Sequence, residues 1–327
     1  MKRIFTILLT LILLGMTCVG CAPPQLGQPS DDNDPTKAEP KKVLITDQQG
    51  RALSIYDLNV TDWSKPEWTW TTEHKNFTNV SGAKYRYDPH SQMDVIAFCC
   101  SGGYCGIISY PLGEVISYVD NAGGNPHSVE VLPDGALVVA ASTGSYVRIY
   151  DTTFYGDVSK KYTQISFPDA HGVLWDPVEE VLWVVGTNQL FGYTVSADHT
   201  MTLRDDLKYY LPDGAAHDLQ PVYGQPDYLW VSTGSHIIRV NKKTGESSMR
   251  YEGWHMISAT ANVKGLGNFE DKTFVFAQMA NVWREWNTDT ITVCHYNEEE
   301  GRYYLEPRKL PKGVAYYKLR VFKKDYL

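Results

Sequence analysis

The sequence predicts an all-β protein, a six-bladed β-propeller closed by pairing of its C-terminal strand with its N-terminal blade. The first observation is a repeated pattern, in which a basic residue opens a short alternating strand, a turn follows, and a buried apolar strand comes next. In the clearest copy His127 leads, Pro133-Asp134-Gly135 forms the turn, and residues 137–141 are the apolar strand. The leading residues recur every 43 to 47 positions, the length of a four-stranded blade. They are Lys84, His127, His171, His217 and Lys264.

The two ends of the chain are the second observation. Residues 43–57 match the second and third strands of a blade, but no inner strand precedes them. Residues 316–322 form an alternating strand with nothing after it, and Lys318 takes the place of a leading residue there. We therefore expect this strand to complete the first blade, because a closed ring leaves no bare sheet edge.

Composition and repeat length agree with this fold. Aromatic residues make up 13% of the 327 residues, and their side chains suit strands and the packing of one sheet on the next. The uninterrupted repeat predicts a single domain over residues 42–327.

Residues 1–20 have the character of a lipoprotein signal peptide. Lys2 and Arg3 precede an apolar stretch over residues 4–16, and Val19-Gly20-Cys21 resembles the cleavage site of a bacterial lipobox. Cys21 would carry a lipid that anchors the chain without spanning the membrane, and cleavage as an ordinary secreted protein is the alternative. These features predict a lipid-anchored, extracytoplasmic protein of the bacterial cell envelope.

Residues 21–41 are predicted to be a disordered tether, because they are rich in Pro, Asp, Lys and Gln and have no apolar period. The formal net charge is −8, and loss of Lys2 and Arg3 with the leader makes it −10. A chain this acidic is not expected to bind nucleic acid. We expect a monomer that contacts the membrane only through its lipid.

Four cysteines follow the predicted lipobox. Cys100 and Cys105 flank the predicted turn Ser101-Gly102-Gly103-Tyr104, where cross-strand partners could form a disulfide in an exported protein. Buried free thiols are the alternative, and a metal site that includes Cys99 fits no common zinc spacing. Cys294 is expected to be a core thiol.

Equivalent positions on successive inner strands of a propeller form a ring around its channel. If the leading residues are equivalent, three lysines and three histidines share one level near one mouth and make a positive funnel in an acidic protein. This ring predicts a binding site for an anionic small molecule or an acidic glycan. Its residues are Lys84, His127, His171, His217, Lys264 and Lys318.

Other interpretations of the ring stay open. His127, His171 and His217 could hold one divalent metal ion, although nearby lysines would repel it, and no other cofactor is expected. Without metal, His171 and His217 are candidate catalytic residues, acting as general base or nucleophile. The reactions would be those of a polysaccharide lyase, or of a sulfo- or phospho-ester transferase or hydrolase. If the histidines only cap turns, the protein is a non-catalytic protein-interaction scaffold.

Two aromatic stretches, residues 62–70 and 279–287, could each form a shelf over a ligand. Packing between blades is the alternative for both.

Several motifs carry a family resemblance. They are Thr46-Asp47-Gln48-Gln49-Gly50, Gly124-Asn125-Pro126-His127-Ser128-Val129-Glu130, Asp169-Ala170-His171-Gly172-Val173 and Tyr317-Lys318. Together they resemble an uncharacterised family of secreted bacterial six-bladed propellers, a domain of unknown function, which implies a fold and no reaction.

More distant resemblances touch only a few residues. Pro126-His127-Ser128-Val129 resembles the blades of NHL and streptogramin-lyase-type propellers. Ala216-His217-Asp218-Leu219-Gln220-Pro221 resembles a blade opening of the arylsulfate sulfotransferases, whose chemistry uses channel histidines. Oligogalacturonate lyases, propellers in which histidines hold a metal, are a further parallel.

Overall fold

Short runs of β-branched and aromatic residues, separated by turns rich in Gly, Asp and Asn, build the whole of the described fold. The computed structural model describes residues 40–249 and 260–326, and these contain 25 strands. Within these two ranges, no helix has the length and apolar character needed to cross a membrane. The predicted leader over residues 1–20, Cys21, and the predicted tether up to residue 39 lie outside the described residues.

The strands form six sheets, which we call blades 1 to 6. Blade 1 contains β1 (Lys42–Asp47), β2 (Ala52–Asp57), β3 (Trp68–Trp70) and β25 (Tyr316–Val321). Blade 2 contains β4 (Val80–Asp88), β5 (Met93–Cys100), β6 (Cys105–Ser109), β7 (Val115–Val119) and the short β11 (Gly156–Asp157). Blade 3 contains β8 (Pro126–Val131), β9 (Leu137–Ala141), β10 (Tyr146–Tyr150) and β12 (Tyr162–Ser166).

The other three blades have the same four-stranded plan. Blade 4 contains β13 (Ala170–Asp176), β14 (Val181–Gly186), β15 (Gln189–Val195) and β16 (Met201–Tyr210). Blade 5 contains β17 (Asp218–Pro221), β18 (Tyr228–Ser232), β19 (Ile237–Asn241) and β20 (Ser247–Ser248). Blade 6 contains β21 (Val263–Asn268), β22 (Phe274–Gln278), β23 (Thr290–Asn297) and β24 (Arg302–Lys309).

Blade 1 is completed by the C-terminal strand, as the sequence predicts. The strand order in this sheet is β25-β1-β2-β3, and β25 pairs antiparallel with β1, with Leu319 opposite Ile45. The all-β class, the six blades and this closure are therefore confirmed.

The six inner strands surround a common axis. Each one contacts the inner strands of the two neighbouring blades, in the closed order β25, β4, β8, β13, β17, β21. Glycine allows this close approach, because a Cβ atom on Gly265 would lie 2.5 Å from the backbone nitrogen of Leu319. Hydrophobic clusters fill the spaces between successive sheets, so the core is shared between blades.

Part of the first aromatic stretch packs between blades. Trp68 and Trp70 donate their indole N–H groups to the backbone oxygens of Pro111 and Gly113 in blade 2. The Trp70 ring also lies edge-on to Phe77, with 5.2 Å between ring centroids. Of the two interpretations of residues 62–70, inter-blade packing describes these tryptophans.

Of the two interpretations of Cys100 and Cys105, buried free thiols describe the structure, and the possible disulfide between them is wrong. In the β5–β6 hairpin Cys105 lies opposite Cys99, and Cys100 is one residue beyond this pair. Because successive side chains of a strand point to opposite faces, Cys100 joins the core between blades 1 and 2, whereas Cys99 and Cys105 join the core between blades 2 and 3. All three are buried free thiols, and so is Cys294.

Candidate functional site

A β-bulge at the start of the inner strands sets the geometry of the candidate site. In β8, β13 and β21 the pairing with the second strand skips one residue, which is His127, His171 and Lys264 respectively. In β4 the skipped residue is Ser81. A bulged residue is left out of the ladder, and its side chain can be re-aimed, here toward the channel.

Blades 5 and 1 place a residue at the same level. His217 directly precedes β17, and its backbone N–H donates to Ser232 O. Asp218, which follows His217, is the residue that pairs with Ser232 in the ladder. In β25 the residues Tyr317 and Lys318 together oppose Thr46 of β1. The backbone N–H of Lys318 donates to the Thr46 hydroxyl group, whereas Tyr317 lines the channel mouth, so we assign Tyr317 as the bulged residue. We call the six equivalent residues the mouth ring. They are Ser81, His127, His171, His217, Lys264 and Tyr317.

The ring predicted from sequence is therefore shifted in two blades. Lys84 lies three residues beyond the ring position of its strand, and Lys318 lies one residue beyond it. The shift arises because matching lysine to histidine by residue type ignores the bulge, whose position is set by the backbone just before it. The structure brings His127, His171, His217 and Lys264 together at one mouth, and Lys84 and Lys318 lie deeper in the channel.

A distinctive backbone conformation occurs two residues before most positions of the mouth ring. The residue at that place has a positive φ angle in five blades, a conformation that Asn and Asp tolerate better than most residues. These residues are Asn79, Asn125, Asp169, Ala215 and Asn262. Alignment of the blades on this Asn or Asp would have placed Ser81, not Lys84, in the ring.

The mouth ring opens into a cavity of about 380 Å³. All ring members except Ser81 line it, and the Ser81 hydroxyl is instead turned into the structure, donating to Pro126 O at 2.6 Å. The histidines are close neighbours, with ring centroids 4.5 Å apart for His127 and His171 and 5.0 Å apart for His171 and His217. Polar side chains complete the rim, namely Gln48, Asn79, Ser101 and Asn125.

Two histidines have a defined tautomer. The Nδ1–H of His127 donates to Asn125 O at 2.8 Å, and the Nδ1–H of His171 donates to Asp169 O at 2.9 Å. Because a backbone carbonyl only accepts, Nδ1 of each ring carries a proton, and in a neutral imidazole the lone pair then lies on Nε2. Burial, and then the charges of His171 and Lys318, keep the pKa of His127 well below its ordinary value, so this ring is neutral.

His217 and Lys264 form a pair at the mouth. The Lys264 Nζ atom contacts Nε2 of His217, and Nδ1 of His217 is buried with no hydrogen-bond partner among the described residues. Burial lowers the pKa of Lys264 to about 8, while the nearby Asp169 partly opposes this shift. Burial and the charge of Lys264 lower the pKa of His217, so the imidazole is neutral beside the ammonium group.

The alternative of a metal held by His127, His171 and His217 does not fit this geometry. Nε2 of His217 faces the Lys264 ammonium group, so it is not available to join the other two imidazoles. Across residues 40–249 and 260–326, no group of three or more His, Cys, Asp or Glu side chains is placed to hold a metal ion.

The second aromatic stretch contributes to the cavity. Arg284 and Trp286 line it, and Gln48 Oε1 accepts hydrogen bonds from Trp286 Nε1 at 2.9 Å and from Asn287 Nδ2 at 3.0 Å. Of the two interpretations of residues 279–287, a shelf at the mouth therefore describes Trp286. Residue-level prediction missed Arg284 and Gln48, because both lie outside the repeated inner-strand pattern.

Buried ion pairs lie below the mouth ring. The Lys318 side chain extends across the channel, and its ammonium group donates to His217 O at 2.7 Å and to His171 O at 3.2 Å. Arg320 makes two hydrogen bonds to the buried Asp218 carboxylate. Burial lowers the pKa of Lys318 to about 7, against the effect of Asp218.

A second set of ion pairs continues this layer. Lys84 Nζ lies 2.8 Å from Glu130 Oε2 and also donates to Val173 O on blade 4. Arg86 makes two further bonds to Glu130, at 2.8 and 3.0 Å. Burial opposes ionisation of Glu130, but the charges of Arg86 and Lys84 bring its pKa below the ordinary value. The two predicted ring lysines thus have carboxylate and carbonyl partners inside the channel.

Protein-family comparison gives a clear assignment. A family model described as a family of unknown function (DUF6528) matches residues 2–299, most of the chain. The chain belongs to the DUF6528 family. Among curated protein sequences, none matches this DUF6528 chain.

Solved structures share the propeller fold with this DUF6528 protein. A protein of unknown function from Bacteroides caccae is 14% identical, with a TM-score of 0.57 over 86% of this chain and 98% of that one. A virginiamycin B lyase from Staphylococcus aureus is 14% identical, with a TM-score of 0.52 over 85% and 84% of the two chains. A functionally unknown protein from Desulfotomaculum acetoxidans is 12% identical, with a TM-score of 0.53 over 81% and 78%. At these identities the similarity concerns the fold alone.

Proposed function

We propose that this DUF6528 protein binds an anionic small molecule or the acidic part of a glycan in the cavity at the mouth ring. The observation that carries the proposal is the charge of the lining. Lys264 and Arg284 both face the cavity, and no carboxylate side chain of the described residues lines it. Asp169 stands outside, with its Oδ1 3.2 Å from His171 Nδ1.

The environment of the cavity favours an anion. Arg284 has no carboxylate partner among the described residues, and its guanidinium group lies over the neighbouring Trp283 ring, 4.3 Å from the ring centre. Lys264 and Arg284 attract an anion from solution, although Asp169 near Lys264 opposes part of this attraction, and partial burial strengthens each charged hydrogen bond. The imidazoles and the amides can bind ligand hydroxyl groups.

A thermal-shift series on the purified protein tests this proposal. Sodium D-galacturonate, D-glucuronate, sulfate and phosphate are the probes, and a ligand at about 100 times its Kd stabilises the folded state by roughly 2.7 kcal/mol. We expect at least one anion to raise the Tm, and both His171→Ala and Lys264→Met to abolish the rise. His295→Ala, at an exposed histidine of β23, is the control and keeps it.

The outcomes separate the candidate functions. A rise that survives both cavity substitutions would place the anion elsewhere and contradict the proposal. Absence of any rise would favour the rival from another class, a protein-interaction scaffold in which the ring residues are structural.

Elimination from a uronic acid is the second candidate, and the His171 tautomer favours it. Nε2 of His171 would remove the proton next to the carboxylate, whose charge Lys264 and Arg284 would neutralise. The electron pair left on carbon would form the ring double bond, the bond to the glycosidic oxygen would break, and Lys264 would return a proton to that oxygen. The unsaturated product absorbs ultraviolet light, so a rise in absorbance that His171→Ala abolishes would support a lyase, and a flat trace on every uronide would exclude it.

Anchoring through Cys21 is a separate part of the proposal, supported by the lipobox-like Val19-Gly20-Cys21 sequence. In cells fed a labelled fatty acid, we expect the label on the wild-type protein and none on Cys21→Ser. Recovery of unlabelled wild-type protein in the soluble fraction would contradict lipid anchoring.

A further inference from the structure

The cavity at the mouth ring has a floor, and this decides what shape of ligand it can take. Lys318 reaches from blade 1 across the channel to carbonyl oxygens of blades 4 and 5, and Lys84 reaches from blade 2 to blade 4. Both lysines are buried, with 0% and 2% of their surfaces exposed. The channel is therefore filled by side chains directly beneath the histidines.

The opposite end of the channel is also covered. Residues 323–326 follow β25 and cross the far ends of the inner strands, where Tyr223 donates its hydroxyl group to Asp325 O at 3.1 Å. The Tyr326 hydroxyl donates to Val131 O, and the Arg86 guanidinium lies 4.7 Å from the centre of the Tyr326 ring. Among the described residues the channel is thus closed at its far end, and a ligand at the mouth ring cannot pass through to that end.

The chemistry of the lining narrows the ligand class. A volume of about 380 Å³ is at the small end of the range of roughly 300–1,000 Å³ that small-molecule pockets occupy. Two cations suit one carboxylate, several amide and imidazole groups suit hydroxyl groups, and Trp286 offers an apolar ring to one face of a sugar. A polyhydroxylated carboxylate uses all three features.

We propose that this blind cavity recognises a single uronic acid residue, either a free sugar acid or the terminal residue of an acidic glycan, and excludes the interior of a polysaccharide chain. The inference rests on the proposed function and adds to it the ligand class and the mode of recognition. Because the channel is closed beneath the mouth, a polysaccharide cannot be threaded through it, and a cavity of about 380 Å³ has room for about one sugar residue, so we expect an end of a chain to enter it.

The test compares galacturonate, oligogalacturonides of two to six residues, and a polygalacturonate of defined length, by calorimetric titration of the whole protein. We expect Kd to change by less than about threefold from dimer to hexamer, and one protein to bind per polymer chain. Blocking one of the two chain ends, by reduction or by a bulky glycoside, should abolish binding, and blocking the other should not. Affinity that rises with each added residue, or several proteins bound along one polymer, would overturn the inference.

Matched aromatic variants locate the binding site. Trp286 and Tyr304 are similarly exposed, at 39% and 41%, but only Trp286 lines the cavity. We expect Trp286→Ala to weaken uronate binding about tenfold, as loss of an aromatic contact of about 1.4 kcal/mol would, and Tyr304→Ala to leave Kd within about twofold. Equal effects of the two variants would contradict the assigned site.

The failure of this inference differs from the failure of the proposed function. If sulfate or phosphate raises the Tm through Lys264 and no uronate binds, the uronate assignment is wrong and anion binding stands. If none of these anions binds, both are wrong.

Discussion

At the scale of single residues, one position on each inner strand decides which side chain meets a ligand. The bulge exposes His127, His171 and Lys264 to the cavity. On β4 and β25, by contrast, Lys84 and Lys318 lie one to three residues beyond the equivalent position and form internal ion pairs. Lys84 and Lys264 are the same residue type on equivalent strands, yet one is buried against Glu130 and the other faces the mouth. A lysine in the repeated pattern therefore does not always contribute its charge to the cavity.

Lys264 should make ligand binding depend on pH. Its pKa is lowered to about 8 by burial, so it is charged below that pH and loses its charge above it. Affinity for D-galacturonate should therefore fall as the pH rises through 8, and the midpoint should move higher when ligand is bound, because an anion favours the ammonium form. Calorimetric titrations between pH 6 and pH 10 measure both quantities.

Two variants check this assignment. Lys264→Met should remove the fall near pH 8, and it should also raise the pKa of His217, which no longer faces a cation. Lys309→Met, at an exposed lysine of β24, should leave the profile unchanged. An unaltered profile in Lys264→Met would assign the titration to another group.

Glu130 should be essential for stability, because it neutralises two buried cations. It is completely buried and pairs with Lys84 and Arg86. Glu130→Gln leaves those charges without a partner, and we expect a loss of about 3–5 kcal/mol in the free energy of unfolding. Denaturant titration measures the loss, and Glu298→Gln, at an exposed ion pair with Lys272, should stay within about 0.5 kcal/mol of wild type. A loss below about 1 kcal/mol for Glu130→Gln would mean that the pairs are not needed.

At the scale of elements, the β5–β6 hairpin shows how register decides chemistry. Its pairing places Cys99 opposite Cys105 on one face of blade 2 and Cys100 on the other face. A shift of one residue would have exchanged the faces, since side chains alternate along a strand. Spacing along the chain does not reveal which of the two registers forms.

The four propeller cysteines should all be free thiols. In the native protein they should react slowly, because burial raises the pKa of Cys99 to about 11 and those of Cys100 and Cys105 well above the ordinary value. In denaturant without reductant, alkylation and mass measurement of the chain from Pro40 onward should find four modified thiols. Two modified thiols would indicate a disulfide and contradict the hairpin arrangement.

At the scale of the whole molecule, the ring is held closed by a strand from the far end of the chain. β25 supplies the inner strand of blade 1, and it also packs against β21 and β4 of the neighbouring blades. Tyr316 and Leu319 on this strand are fully buried. Closure therefore joins the first and last blades through both hydrogen bonds and core packing.

Truncation tests this closure. Removal of residues 316–327 should abolish the cooperative unfolding transition and cause aggregation, because it bares the edge of β1 and the apolar faces that β25 covers. Removal of residues 324–327 keeps β25 and should lower the Tm only modestly. A cooperative unfolding transition in the protein that lacks residues 316–327 would show that blade 1 does not need β25.

The sequence predicted the architecture well because a repeat is a local signal. Residues 43–57 and 316–322 could be assigned to one blade since each was incomplete alone, and their pairing is confirmed. Prediction of the site was less complete. His127, His171, His217 and Lys264 were found from their spacing, but Gln48, Arg284 and Trp286 reach the mouth from connections that have no repeat.

By itself, the sequence determined the fold class, the number of blades and their closure, because the apolar periodicity of each strand and the length of each blade depend only on residues that are near each other in the chain. Only the tertiary structure decided which basic side chains face solvent and which fill the channel. The reason is that a bulge of one residue redirects a side chain, and that Lys84 and Lys318 find their partners on strands 46 to 147 residues away in the chain. Such partners come together only when the ring closes.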